Sequence, residues 1–92
     1  MKFIKLFEPL TIGQMELKNR CVIPAMHLNA TEDGFVNDKI TEFYRRRAEG
    51  GFGFIIVGGV GVSKRAMGVP MMISIYDDKF IPNLKELTDA VH

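Results

Sequence analysis

Two short stretches of the sequence place small or polar residues directly after apolar runs, a pattern typical of loops that contact ligands. The first stretch consists of Pro24, Ala25, Met26 and His27, and the second consists of Gly58 and Gly59. Small residues let a planar ligand approach the backbone closely. His27 could donate a hydrogen bond to a carbonyl oxygen of such a ligand, or tune its charge. The chemistry that these residues suggest is the binding of a flat heterocycle along main-chain N–H and C=O groups.

Each of these features also has a purely structural interpretation. His27 would then be a loop histidine that hydrogen-bonds to nearby backbone, and the glycines would form a tight turn after a buried strand. A dinucleotide-binding fingerprint does not fit, because Lys64 occupies the place of its third glycine. The G-K-[ST] sequence of a phosphate-binding loop is absent as well. Cys21 is interpreted as a packed strand residue, since a nucleophile would need an activating base and exposure.

The elements around the first stretch are short and extended. Residues 11–19 alternate apolar and polar side chains around Gly13-Gln14, which predicts a small β-hairpin with a tight turn. Residues 21–23 are too apolar for alternation, which predicts a strand buried on both faces. A loop is expected over residues 29–37, with Asp33-Gly34 as its turn.

Two helices and a second strand are predicted further along the chain. The first helix covers residues 38–49, because Asn37 is a suitable N-cap and apolar side chains recur on one helical face. The members of that face are Ile40, Phe43, Tyr44 and Ala48. Residues 52–57 predict a central parallel strand, and residues 79–91 predict a second helix with Pro82 in its first turn. The stripe predicted to be buried on the second helix comprises Ile81, Leu84, Leu87, Thr88 and Val91.

The segment between the second strand and the second helix has a weaker pattern. Residues 58–63 predict a sharp glycine-rich turn, residues 64–70 an irregular connection, and residues 71–76 a short extended segment in a long loop. The order strand, helix, strand, helix with buried strands predicts an α/β fold with parallel pairing. Ligands of such folds lie at the carboxyl ends of the strands. We therefore expect Met26 and Gly59 to end neighbouring parallel strands, side by side, and to face one planar group.

Composition excludes several other classes of function. The chain of 92 residues is one domain at most, and we take residues 1–92 as part of a single domain. Twelve basic against eleven acidic residues give a net charge of +1, so nothing indicates attraction to nucleic acid or to a membrane surface. The one cysteine excludes an internal disulfide and fits a cytoplasmic protein. No targeting or membrane-spanning stretch is recognised, and a metal site would lack the usual thiolates.

A family resemblance is carried by runs spread along most of the chain. These runs are Leu6-Phe7-Glu8-Pro9-Leu10, Ile12-Gly13, Leu17-Lys18-Asn19-Arg20, Ala25-Met26-His27, Asp33-Gly34, Phe43-Tyr44, Arg47-Ala48, Gly50-Gly51, Ile55-Ile56-Val57 and residues 84–92. Together they resemble the start of the old yellow enzyme family. Within that family they are most similar to the branch of 2,4-dienoyl-CoA reductase and the bile-acid-inducible NADH:flavin oxidoreductases.

The resemblance implies a (β/α)8 TIM barrel with FMN at its mouth, of which this chain supplies the N-terminal β-hairpin and the first βαβα units. The cofactor contacts that it implies are those of Pro24, Ala25, Met26, His27 and Gly59. His27 would stand near the O4 and N5 edge of the flavin, where relatives have threonine or cysteine. NADH or NADPH would reduce FMN, and FMN would pass hydride to the β-carbon of an α,β-unsaturated carbonyl compound. Longer members of the branch also carry a 4Fe–4S cluster and an FAD domain.

The resemblance also implies that other functional parts lie beyond residue 92, namely the proton donor, the substrate anchors, the FMN phosphate site and the cluster cysteines. We therefore expect no catalytic residue in this chain, and neither a closed barrel nor turnover from its 92 residues alone. A different class of function is a stand-alone α/β module that self-associates or binds a protein partner through uncovered sheet edges. A homo-oligomer is open under either interpretation.

Overall fold

The computed structural model describes residues 3–66, 68 and 71–92. Its strands and helices are β1 (Leu10–Ile12), β2 (Met15–Leu17), β3 (Val22–Ile23), α1 (Asp38–Glu49), β4 (Phe54–Ile55), β5 (Val60–Gly61), β6 (Ile73–Ser74) and α2 (Ile81–Val91). Single 3-10 turns cover Ile4–Phe7, Lys64–Ala66 and Asp78–Phe80. The irregular connection predicted over residues 64–70 includes Met67, Val69 and Pro70, which lie outside the described residues.

The strands form three separate pairs. Strands β1 and β2 make the predicted antiparallel hairpin, and Gly13 in its turn has a φ of +58°, which favours glycine. Strands β3 and β4 pair in parallel, with Ile23 opposite Ile55. Strands β5 and β6 also pair in parallel. The predicted α/β fold with parallel pairing is therefore confirmed, and the described residues do not close a barrel.

The prediction that β3 and β4 are fully buried central strands is wrong in part. Strand β4 covers two residues of the six predicted, and Val22 of β3 is 43% exposed. Ile56, which follows β4, is exposed to the same extent, 43%. The physical reason is that side chains alternate between the two faces of the pair: Ile23 points to the buried face, whereas Val22 and Ile56 lie on the face that the described part of the chain leaves open.

The glycine-rich segment after β4 is more regular than the sequence predicts. Val60–Gly61 is a strand rather than part of a turn, and it pairs with the extended segment that was correctly predicted around Ile73. The N–H of Ile75 continues this ladder by donating to the carbonyl of Gly61 at 3.0 Å. Because the two partners are far apart in sequence, no local pattern reveals the pairing.

The core lies between the two helices and the strands. Its buried members are Val36, Ile40, Tyr44, Ile73 and Leu87. On α2, however, Ile81 is 55% exposed and Thr88 is exposed too, so the predicted stripe is wrong at these two positions. The reason is that Phe80, in the 3-10 turn before α2, takes up the core position at 1% exposure.

Asn37 connects the start of α1 to the loop that follows β3 through two side-chain hydrogen bonds. Its Oδ1 accepts a hydrogen bond from the Ile40 N–H at 3.1 Å, as an N-cap does, and its Nδ2 donates to the Ala30 carbonyl at 2.6 Å. The predicted cap and the predicted start of the helix are thereby confirmed.

Replacing Asn37 by Ala removes both hydrogen bonds. We expect the free energy of unfolding to fall by about 1–3 kcal/mol, measured by urea unfolding followed by circular dichroism. Asn37→Ser is the matched control, because serine keeps the capping oxygen but lacks the amide NH2 group that donates to Ala30, and it should lose clearly less. Equal losses for Ala and Ser would mean that the capping bond contributes nothing.

Candidate functional site

The carboxyl ends of β3 and β4 come together where the strand order predicts. The backbone of Gly58 lies directly on the Met26 peptide: a Cβ added to Gly58 would stand 2.9 Å from the Met26 nitrogen and closer still to its carbonyl group. Since a side chain there would collide with main chain, only glycine permits this approach. The next residue, Gly59, therefore lies beside the segment that contains Met26 and His27.

A narrow crevice separates these segments. It is bounded by the loop over residues 26–31, by Ile40 and Tyr44 from α1, by Gly58 and Gly59, and by Met71 and Ile73. Its volume is about 10 Å³, which is room for a single water molecule. No heterocycle can enter it, so a planar ligand would have to lie across the exposed rim.

Part of that rim is formed by residues that the sequence singles out. Pro24, Ala25, Met26, His27 and Gly59 are all exposed, whereas Gly58 beneath them is buried. We call these five exposed residues the strand-end edge. Met26, His27 and Gly59 border the crevice, and Pro24 and Ala25 extend the edge along the end of β3 without bordering it. The structure thus brings Met26, His27 and Gly59 together around the crevice, while Pro24 and Ala25 precede them along the chain.

The strand-end edge presents main chain rather than bulky side chains at two of its positions. A Cβ built on Gly59 would meet only the flexible end of Met72, whose Cε lies 3.1 Å away. Ala25 adds one methyl group. A flat ring can therefore approach the peptide groups of this edge closely, which is the condition that a ligand held by main-chain N–H and C=O groups must meet.

One residue that supports the edge was predicted only as a core residue. Tyr44 is indeed buried at 1% exposure, and its hydroxyl accepts a hydrogen bond from the Gly58 N–H at 3.3 Å. A tyrosine rather than a phenylalanine on a buried helical stripe is the signal that could have indicated a polar partner, because a buried phenol needs one.

A second supporting residue, Asn19, holds the amino ends of the two strands. Its Oδ1 accepts hydrogen bonds from the N–H groups of Cys21 and Gly53 at 3.0 and 2.9 Å, and its Nδ2 donates to the Gly51 carbonyl at 2.6 Å. These bonds connect the chain entering β3 with the chain entering β4. Asn19 thereby fixes the register that places Met26 beside Gly58.

The clearest electrostatic effects lie away from the edge, on the outer face of α1. The hydrogen bond from the Arg45 guanidinium lowers the pKa of Glu42, and the same contact raises the pKa of Arg45. Arg46 also pairs with Glu42, at 3.2 Å. Because all of these side chains are solvated, they support the helix surface and contribute no chemistry to the edge.

The described residues hold no group of three or more His, Cys, Asp or Glu side chains placed to bind a metal ion. Neither helix is long and apolar enough to span a bilayer.

Comparison with known proteins supports one family. The model of the NADH:flavin oxidoreductase / NADH oxidase family matches residues 5–92. The chain is 48% identical over 88 residues to a metal reductase of Desulforamulus reducens, covering 94% of this chain and 13% of that protein. It is 38% identical over 92 residues to an NADH oxidase of Thermoanaerobacter brockii, covering 98% and 14%. Among solved structures, 2-naphthoyl-CoA reductase in complex with 2-naphthoyl-CoA superimposes with a TM-score of 0.91 at 31% identity, over 95% of this chain and 14% of that one.

Proposed function

The chain belongs to the NADH:flavin oxidoreductase / NADH oxidase family, and on this premise we propose that it forms the first part of an FMN-binding (β/α)8 barrel. It spans 13–14% of the length of the relatives described above. The hairpin β1–β2, the parallel pair β3–β4 and the helices α1 and α2 are the parts that the start of such a barrel needs. Residues 1–92 would then belong to one barrel domain.

The observation that carries the proposal is the approach of Gly58 to the Met26 peptide. It brings the carboxyl ends of two parallel strands together, and barrel enzymes bind their ligands at that end. The strand-end edge is open there, and its small residues fit one side of a flavin ring. We assign FMN contacts to Pro24, Ala25, Met26, His27 and Gly59. Because the crevice below has a volume of only about 10 Å³, the ring would lie across the edge.

When bound, FMN would supply hydride transfer from NADH or NADPH to the β-carbon of an α,β-unsaturated carbonyl compound. A 2-naphthoyl-CoA reductase among the solved structures and an NADH oxidase among the relatives support this class of substrate and reductant. The part of this chain would be to hold the ring by main-chain groups and to donate a hydrogen bond from His27. A donor at that point stabilises negative charge, which is how preorganised polar groups assist such reactions.

Residues outside this chain would complete the enzyme. We propose that the 92 residues alone do not turn over, since the described residues leave the barrel open and the apolar Val22 and Ile56 exposed. The 4Fe–4S cluster and the FAD implied by the resemblance stay predictions, as does the cytoplasmic location.

The direct test is a titration with FMN of the complete product of the gene that encodes these residues. We expect saturable binding with a change in the visible flavin spectrum, followed by NADH- or NADPH-dependent reduction of an enone such as 2-cyclohexenone. A purified product that binds no FMN would contradict the proposal. A flavin-free oligomer seen by light scattering would instead favour the stand-alone interaction module.

Replacing His27 by Ala should make the midpoint potential of the bound flavin more negative. The lost hydrogen bond would have stabilised the reduced, charged ring, and such bonds to charged groups correspond to a shift of about 30–60 mV for two electrons. Spectroelectrochemical titration measures it. His92→Ala is the matched control, because His92 is exposed at the end of α2. Equal potentials for the wild type and His27→Ala would show that His27 does not hydrogen-bond to the flavin.

A further inference from the structure

Gly58 lies just beyond the end of the hydrogen-bond ladder between β3 and β4. The last described backbone bond of the pair runs from the Ile56 N–H to the Ile23 carbonyl at 3.0 Å. Two residues later the N–H of Gly58, which is buried, donates to a side chain instead of a strand. A buried N–H without an acceptor costs free energy, and this side chain supplies the acceptor that a strand partner would otherwise provide.

That side chain is Tyr44, in the middle of α1. Its ring is closely packed: it lies edge-on to Phe43 at 5.1 Å between ring centres, and it belongs to the buried cluster with Ile40 and Leu87. A phenol held in this way has little freedom to move. Its hydroxyl therefore fixes the position of the Gly58 peptide relative to the helix.

The Gly58 peptide in turn determines the geometry of the strand-end edge. On one side it packs against the Met26 peptide, and on the other it leads directly into the exposed Gly59. Tyr44 itself also borders the crevice below the edge. A displacement of Gly58 would move both halves of the edge relative to each other.

We propose that Tyr44 is a positioning residue for the FMN site, acting through its hydrogen bond from Gly58 without touching the cofactor. This inference rests on the proposed function. By holding Gly58, the Tyr44 hydroxyl would keep the ends of β3 and β4 at a spacing that a single planar ring can bridge.

The test is the variant Tyr44→Phe in the complete gene product, compared with Tyr76→Phe. Both changes remove one phenolic hydroxyl, and Tyr76 packs with its ring 5.1 Å from that of Phe80, outside the crevice. We expect FMN to bind about tenfold more weakly to Tyr44→Phe, with altered positions of the visible absorption bands and an altered midpoint potential of the flavin that still binds. Tyr76→Phe should leave all three properties at the wild-type values.

The spectrum and the potential separate positioning from mere loss of stability, because a less stable protein still holds its bound flavin in the same surroundings. Wild-type affinity, spectrum and potential in Tyr44→Phe would overturn the inference while the proposed function stands. Absence of FMN binding by the wild type would overturn both.

A second variant covers the case in which Tyr44→Phe does not fold. Incorporation of 3-fluorotyrosine at position 44 keeps the hydroxyl and weakens it as an acceptor. A smaller shift of the flavin spectrum in a wild-type-like fold supports the inference, and no shift overturns it.

Discussion

Gly58→Ala is expected to abolish FMN binding and to destabilise the fold. The new methyl group would overlap the Met26 carbonyl group and would stand 2.9 Å from the Met26 nitrogen. These are main-chain atoms, which cannot rotate away as a side chain can, so β3 and β4 would have to separate at their carboxyl ends. Overpacking of this kind costs about 3 kcal/mol or more. Urea unfolding measures the loss of stability, and flavin fluorescence measures the loss of binding.

Two other glycines provide the controls for this result. Gly50→Ala places its methyl group 3.4 Å from the nearest backbone oxygens in a right-handed helical conformation, so stability and binding should stay near wild type. Gly59→Ala meets only the terminal carbon of the flexible Met72 side chain, at 3.1 Å, so the fold should survive while FMN binding weakens. If Gly58→Ala binds FMN as the wild type does, the strand-end edge is not the cofactor site.

Phe80→Ala is expected to lower the free energy of unfolding by about 3–5 kcal/mol. Phe80 is 1% exposed, and its ring lies 4.6 Å from that of Phe35 and 5.1 Å from that of Tyr76, measured between ring centres. Its Cε1 would also be 3.6 Å from a Cβ on Gly34, so the ring supports the turn that leads into α1. Its removal would leave a cavity beside Phe35, Tyr76 and the turn at Gly34.

The neighbouring residue, Ile81, provides the control for Phe80→Ala. Ile81 is 55% exposed, so Ile81→Ala should cost less than about 1 kcal/mol. Both variants are measured by urea unfolding, in which a lower midpoint with an unchanged slope reports lost stability. Similar losses for the two variants would mean that Phe80 does not anchor the core.

The parts of the fold that the sequence predicted well are those that depend on near neighbours. Helix α1 was predicted over residues 38–49 and is observed at Asp38–Glu49, because an N-cap at Asn37 and a regular apolar face act within the same short segment. The hairpin was predictable for the same reason, since Gly13 determines its turn. The meeting of Met26 with the Gly58-Gly59 segment followed from the general rule for parallel strands.

The predictions that failed concern residues whose surroundings depend on partners distant in the chain. Exposure of Val22 reflects that its face of β3 is left open by the described part of the chain, and exposure of Ile81 reflects that Phe80 occupies the core in its place. The hydrogen bond between Tyr44 and Gly58 joins residues 14 positions apart, one in α1 and one in the segment after β4, and no local rule predicts it. The role of the strand-end edge in binding FMN stays a prediction until the cofactor is titrated.

An edge built largely from peptide groups has an evolutionary consequence. Every residue except proline contributes the same main-chain N–H and C=O groups, so mutations in this loop can change the side chains on the surface while most polar backbone atoms are inherited unaltered. If the edge holds FMN as proposed, descendants of one gene could thus diversify in their side chains at the edge without losing the cofactor contacts. Codon 58 is the exception, because any replacement there adds a carbon atom, and purifying selection should act on it most strongly.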